Sequence, residues 1–66
     1  MKNGNRKAEL ERTLHLTKKE LARLNEEKRD ALDRSDFEEF KSLNKATSEL
    51  NKRILMANKA LKEFAA

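Results

Sequence analysis

Leu43-Asn44-Lys45-Ala46-Thr47 is followed by Leu50-Asn51-Lys52-Arg53-Ile54 and then by Ala57-Asn58-Lys59-Ala60-Leu61. An apolar residue, an Asn, a Lys, a variable residue and a second apolar or Thr position therefore recur every seven residues. That period holds one seam of a helix against another helix, because seven residues nearly complete two turns. Extended both ways, the seam reads Phe40, Leu43, Thr47, Leu50, Ile54, Ala57, Leu61 and Phe64. The preceding half of the chain carries its counterpart: Leu10, Leu14, Thr17, Leu21, Leu24, Lys28 and Ala31.

Between the two seams lies Asp33-Arg34-Ser35-Asp36-Phe37-Glu38. Ser35 with Glu38 three residues on has the pattern of a capping box, in which hydroxyl and carboxylate satisfy orphan backbone donors at a helix start. The spacing predicts helix 1 from about residue 8 to 33, a turn at 34–35 and helix 2 from about 36 to 64. Residues 1–7, with Lys2, Arg6 and Lys7 around Asn3-Gly4-Asn5, read as a flexible basic tail. Two helices joined so tightly fold back antiparallel. Leu24 is then level with Thr47, Leu21 with Leu50, Leu14 with Ala57 and Leu10 with Leu61; Lys28 lies beside Leu43, its stem packing while the ammonium reaches water. Leu16-Thr17-Lys18-Lys19-Glu20-Leu21 offers a second capping box that would break helix 1. The uninterrupted seam, without Gly or Pro, favours a continuous helix.

Composition agrees with an all-α, coiled-coil-like hairpin. Of 66 residues, 42% are charged and 5% aromatic, with no proline and one glycine, the profile of long helices. The absence of cysteine excludes disulfides, thiolate metal sites and cysteine nucleophiles. No apolar run approaches the roughly 18–20 residues that span a bilayer. No secretory signal is visible in Met1–Leu10, so a cytoplasmic location is the expectation. A lone two-helix unit buries too little apolar surface to offset the entropy of ordering it, and a second copy or a larger partner is the usual remedy. A homodimer closing into a four-helix bundle is expected.

Charge and surplus hydrophobics point the same way. Lys2, Arg6 and Lys7 lie at the open end of the hairpin with the basic end of helix 2, whereas Asp36, Glu38 and Glu39 make the turn acidic. Two hairpins stacked head to tail would set each basic end on the other's acidic end. Leu16 and Met56 fall off the seam on one edge, with the small Ala46 and Ala60 along it. Leu32, Phe37 and Leu55 fall on the opposite edge. Leu16, Ala46, Leu55, Met56 and Ala60 are accordingly the candidate protein-interface residues.

Lys41, Lys45, Lys52, Lys59 and Lys62 follow helical spacing on the outer face of helix 2, over roughly 30 Å at 1.5 Å per residue. A phosphate backbone would fit such a stripe. Small helical-hairpin dimers of the Rop type, which regulate RNA through a helix face, resemble this chain in size and architecture. Against that stand Glu49 and Glu63, spaced to pair with Lys45, Arg53 and Lys59, and the lack of an aromatic to stack a base. A solvated outer face accounts for the stripe better than nucleic-acid binding does. Asn44, Asn51 and Asn58, with Asn25 near Asn44, either form a register-fixing amide ladder or are ordinary flanking polar residues.

Catalysis finds little support. His15 is the single histidine, and Glu11 one turn earlier is its sole plausible co-ligand. The acids Glu26, Glu27 and Asp30 sit among Lys and Arg and read as solvated surface. No catalytic, metal or cofactor site and no small-molecule substrate is expected.

From Leu24 to Leu50, the positions Leu24, Ala31, Asp36-Phe37-Glu38, Leu43 and Leu50 resemble the UVR motif, the helical hairpin of the bacterial excision-repair proteins UvrB and UvrC and of some stress-response adaptors. The chain departs from it at Phe40 and at Asn44-Lys45. The resemblance implies a hairpin used for protein–protein association. The expectation is therefore a non-enzymatic interaction module acting on itself and on a larger protein as accessory, adaptor or inhibitor. The alternative is a small basic nucleic-acid-binding regulator using the lysine stripe; a packing protein of a larger assembly is a third possibility.

Overall fold

The computed structural model describes the backbone of residues 2–65 and the side chains of residues 5–64. Two helices, α1 (Lys2–Asp33) and α2 (Phe37–Ala65), pack along their length as an all-α antiparallel hairpin. The molecule measures 50 × 14 × 13 Å. Helix α1 begins at Lys2, where the sequence places its start near Ala8. Once a helix is nucleated each added residue extends it at little cost, and a glycine weakens it by only about 1 kcal/mol. Arg6 and Lys7 are thus exposed helical residues, while Met1 and the Lys2 side chain lie outside the described residues.

The seam matches the heptad. Leu10, Leu14, Thr17, Leu21, Leu24 and Lys28 on α1 are half-buried, as are Phe40, Leu43, Leu50, Ile54, Leu61 and Phe64 on α2. Three small residues are buried outright: Ala31 at 0%, Thr47 at 3% and Ala57 at 8% exposure. Small side chains let the backbones approach, and the longer neighbours then lie beside the contact rather than inside it. Both seam threonines satisfy their hydroxyls within their own helix. Thr47 Oγ1 donates to the Asn44 carbonyl at 3.0 Å and Thr17 Oγ1 to the Thr13 carbonyl at 2.7 Å. Thr17 therefore sits mid-helix, not at a cap, and α1 is continuous through it.

The turn differs from the sequence reading by one residue. The Ser35 N–H donates to the Leu32 carbonyl at 3.0 Å and the Asp36 N–H to the Ala31 carbonyl at 2.8 Å. Ser35 has φ 58°, so it is the left-handed residue of a Schellman ending. That conformation closes α1 and takes Ser35 away from the start of α2. Asp36 caps α2 instead: its Oδ1 accepts the Glu39 N–H at 3.2 Å, and its carbonyl accepts the Phe40 N–H at 3.0 Å. Glu38 and Glu39 place negative charge in the first turn, where the helix dipole favours it. Arg34 reaches across the turn to Glu39, Nη2 to Oε2, at 2.8 Å. The Ser35–Glu38 box is thus replaced by an Asp36 cap.

Two substitutions check this turn by urea unfolding at fixed protein concentration. Ser35→Gly removes the left-handed penalty and stabilises the chain by about 1 kcal/mol. Asp36→Ala removes the cap and destabilises it by about 1 kcal/mol. A capping box at Ser35 would instead make Ser35→Gly destabilising by a few tenths of a kcal/mol and leave Asp36→Ala nearly neutral.

Candidate interaction surfaces

The hairpin leaves much of its apolar material outside. Among the described residues no large side chain is fully buried. Leu16, Leu32, Phe37, Leu55 and Met56 are exposed, from 48% at Leu32 to 72% at Met56. The chain exposes 5616 Å² in all, whereas a compact 7.7 kDa monomer exposes about 4,300 Å². The excess is larger than the ~800 Å² that each partner gives up in a standard interface.

Helical spacing distributes these residues over two edges. On one edge a shallow groove is lined by Leu10, Thr13, Arg53, Met56 and Ala57. Leu16 lies one turn beyond Thr13 on the same edge. Nearer the open end, Arg6, Ala60, Glu63 and Phe64 continue it. On the opposite edge a groove on α2 is lined by Leu55, Asn58, Lys59, Leu61 and Lys62. Lys28 marks the same side, its Nζ donating to Asn44 Oδ1 at 3.3 Å. Leu32 lies one turn after Lys28, and Phe37 lies seven residues before Asn44.

The candidate interface residues fall into two groups. Leu16, Leu55 and Met56 are free on the surface, whereas Ala46 and Ala60 are half-buried in the flank of the hairpin itself. Their methyl groups narrow that edge without projecting from it. Glu20 and Glu27 are half-buried on the same flank, although Glu27 reads as solvated from its charged neighbours. The available signal was their seven-residue spacing in register with Thr13. Both carboxylates approach Arg23, with Glu27 at 3.9 Å. The hydrogen bond from Arg23 to Glu20, then the charges of Glu20 and Glu27, raise the pKa of the Arg23 guanidinium.

Lys41, Lys45, Lys52, Lys59 and Lys62 are all exposed. Lys52 approaches Glu49 at 3.9 Å, with both side chains more than 60% exposed, so the pair holds little in place. Phe40, the nearest aromatic in sequence to Lys41, faces the seam, where Lys28 Nζ lies 5.8 Å from its ring centroid. Asn44 is engaged across the hairpin by Lys28, while Asn51 and Asn58 are exposed. Glu11 and His15 are exposed on α1, and no group of three or more His, Cys, Asp or Glu suited to a metal occurs among the described residues. Among them, too, no helix is long and apolar enough to cross a membrane.

Comparison with known protein families, curated proteins and solved structures finds no match to this chain.

Alanine substitution separates the three asparagines. Asn51→Ala and Asn58→Ala gain helix propensity alone and stabilise by a few tenths of a kcal/mol. Asn44→Ala also loses the Lys28 bond and falls short of them by about 1 kcal/mol in urea unfolding. A continuous amide ladder would make all three substitutions costly.

Proposed function

We propose that this chain is a non-enzymatic protein–protein interaction module of the cytoplasm. Its hairpin packs on a second copy to complete a four-helix bundle and docks on a larger protein as an accessory, adaptor or inhibitor. One observation carries the proposal: among the described residues no large side chain is fully buried, while Leu16, Leu32, Phe37, Leu55 and Met56 stand exposed. A hydrophobic seam with one open side on each edge lowers its free energy by covering those edges. The surface excess over a compact monomer is of the size that association removes. The implied role of the UVR-like hairpin, association between proteins, points the same way.

Sedimentation equilibrium, with circular dichroism melts at several concentrations, tests the self-association. The expected result is a helical oligomer whose Tm rises with concentration. Leu16→Glu with Met56→Glu, or Leu55→Glu alone, shifts the equilibrium toward single chains and lowers Tm. A monomer that melts cooperatively at a concentration-independent Tm would sink the self-association half of the proposal. A poorly folded monomer would leave the core to be completed by another protein alone.

The second reading, a small nucleic-acid-binding regulator, is supported by the exposure of Lys41, Lys45, Lys52, Lys59 and Lys62 along one face. Replacing Lys45, Lys52 and Lys59 with Glu discriminates between the two. Under the first reading partner docking stays largely intact. Under the second, wild-type affinity for duplex RNA or DNA, measured by fluorescence anisotropy, falls by at least tenfold.

A further inference from the structure

The two edges of the hairpin carry opposite charge. Glu9, Leu16, Arg23 and Asp30 recur every seven residues on α1, and Glu49, Met56 and Glu63 recur on the α2 side of the same edge. The half-buried Glu20 and Glu27 add to it, and Arg23 is already held by those two carboxylates. Arg6, Lys52 and Arg53 are the other cations there, Lys52 lying 3.9 Å from Glu49, so acids outnumber bases around Leu16 and Met56 by six to four. The opposite edge reverses this. Lys18 and Arg29 on α1 and Lys41 and Lys62 on α2 are exposed, with Glu11 as the opposing acid. Between them lie Asn25, Asn44, Asn51 and Asn58 and the apolar Leu32, Phe37 and Leu55.

We infer that the acidic edge of one copy docks on the basic edge of the next, Leu16 and Met56 packing among Leu32, Phe37 and Leu55. This rests on the self-association proposed above and puts an open, edge-to-edge arrangement in place of its closed four-helix bundle. An apolar centre framed by charge of one sign fits a second apolar centre framed by the other. Pairing either edge with itself would oppose like charges: acid on acid, or Lys18, Arg29, Lys41 and Lys62 on their own copies. The occupant of each edge is therefore a second copy offering its other edge. Such contacts are heterologous, and every copy added leaves one edge free at each end. The assembly grows past two chains with concentration unless the rotation between copies closes a ring.

Charge reversal at exposed helical positions tests the pairing without touching the seam. Glu9→Lys, Glu49→Lys and Glu63→Lys make both edges basic; Lys18→Glu, Arg29→Glu and Lys62→Glu make both acidic. At low salt, wild type is expected to sediment with a weight-average mass that climbs past two chains. Each variant alone sediments as one chain with less helix by circular dichroism, and a one-to-one mixture of the two restores both the mass and the helix. A control with the same charge change on the outer faces, Arg12→Glu, Lys19→Glu and Lys45→Glu, assembles like wild type. A closed wild-type dimer unaffected by the Lys18, Arg29 and Lys62 reversals would overturn this pairing while leaving self-association intact. Loss of assembly in the control as well would reduce the effect to net charge and also overturn it. A wild-type monomer at every concentration would remove the self-association itself.

Discussion

Everything in this hairpin follows from how closely its helices approach at Ala31, Thr47 and Ala57. These are the buried residues among those described, and all three are small. Two backbones in contact through methyl groups leave no interior volume for a leucine to fill. Leu10, Leu14, Leu21, Leu24, Leu43, Leu50, Ile54 and Leu61 therefore flank the contact and stay half-buried. Each contributes a fraction of the roughly 1.5–3 kcal/mol that full burial would give. A thin contact and a large apolar surface are two aspects of the same choice of side chains.

Polar groups near the contact do not lock it. Thr17 and Thr47 turn their hydroxyls back to their own helices. The described ion pairs, Arg23 with Glu20 and Glu27, Arg34 with Glu39 and Lys52 with Glu49, are exposed and either within one helix or across the turn. Such pairs contribute well under about 1 kcal/mol each. Lys28 is the exception in position, crossing from the α1 seam to Asn44 and Phe40 on α2. The charged surface therefore contributes little to holding the two helices together.

The fold was legible because the signal is redundant: seven-residue spacing on both halves, no proline, and a link too short for any other arrangement. The turn was legible only to within a residue. Ser and Asp are comparable caps, and sequence spacing does not reveal that the end of α1 demands a left-handed residue at Ser35. That demand, made by one helix on the next, moved the cap to Asp36. At the surface, the exposure of Leu16, Leu55 and Met56 followed from their phase relative to the seam. The partial burial of Ala46, Ala60, Glu20 and Glu27 did not, because it depends on how far the helices close on that flank. Opposed charge on the two edges emerges only when both helices are placed side by side, since the strongest single row, Lys45, Lys52 and Lys59, lies on the outer face and the edge rows carry few charges each.

Asp36 ends one helix and begins the other, donating its N–H to Ala31 and accepting Glu39 on its carboxylate. No residue is left over between them to absorb a change in angle. The azimuth of α2 about its own axis is thus set at the turn and carried to Phe64 by the rigidity of the helix. One residue inserted into α2 between Phe37 and Thr47 would rotate the rest of that helix by about 100° relative to α1. Such a step would carry Thr47 and Ala57 out of the contact and bring another row of α2 toward it. Chain length between the turn and Thr47 is for this molecule a phase constraint.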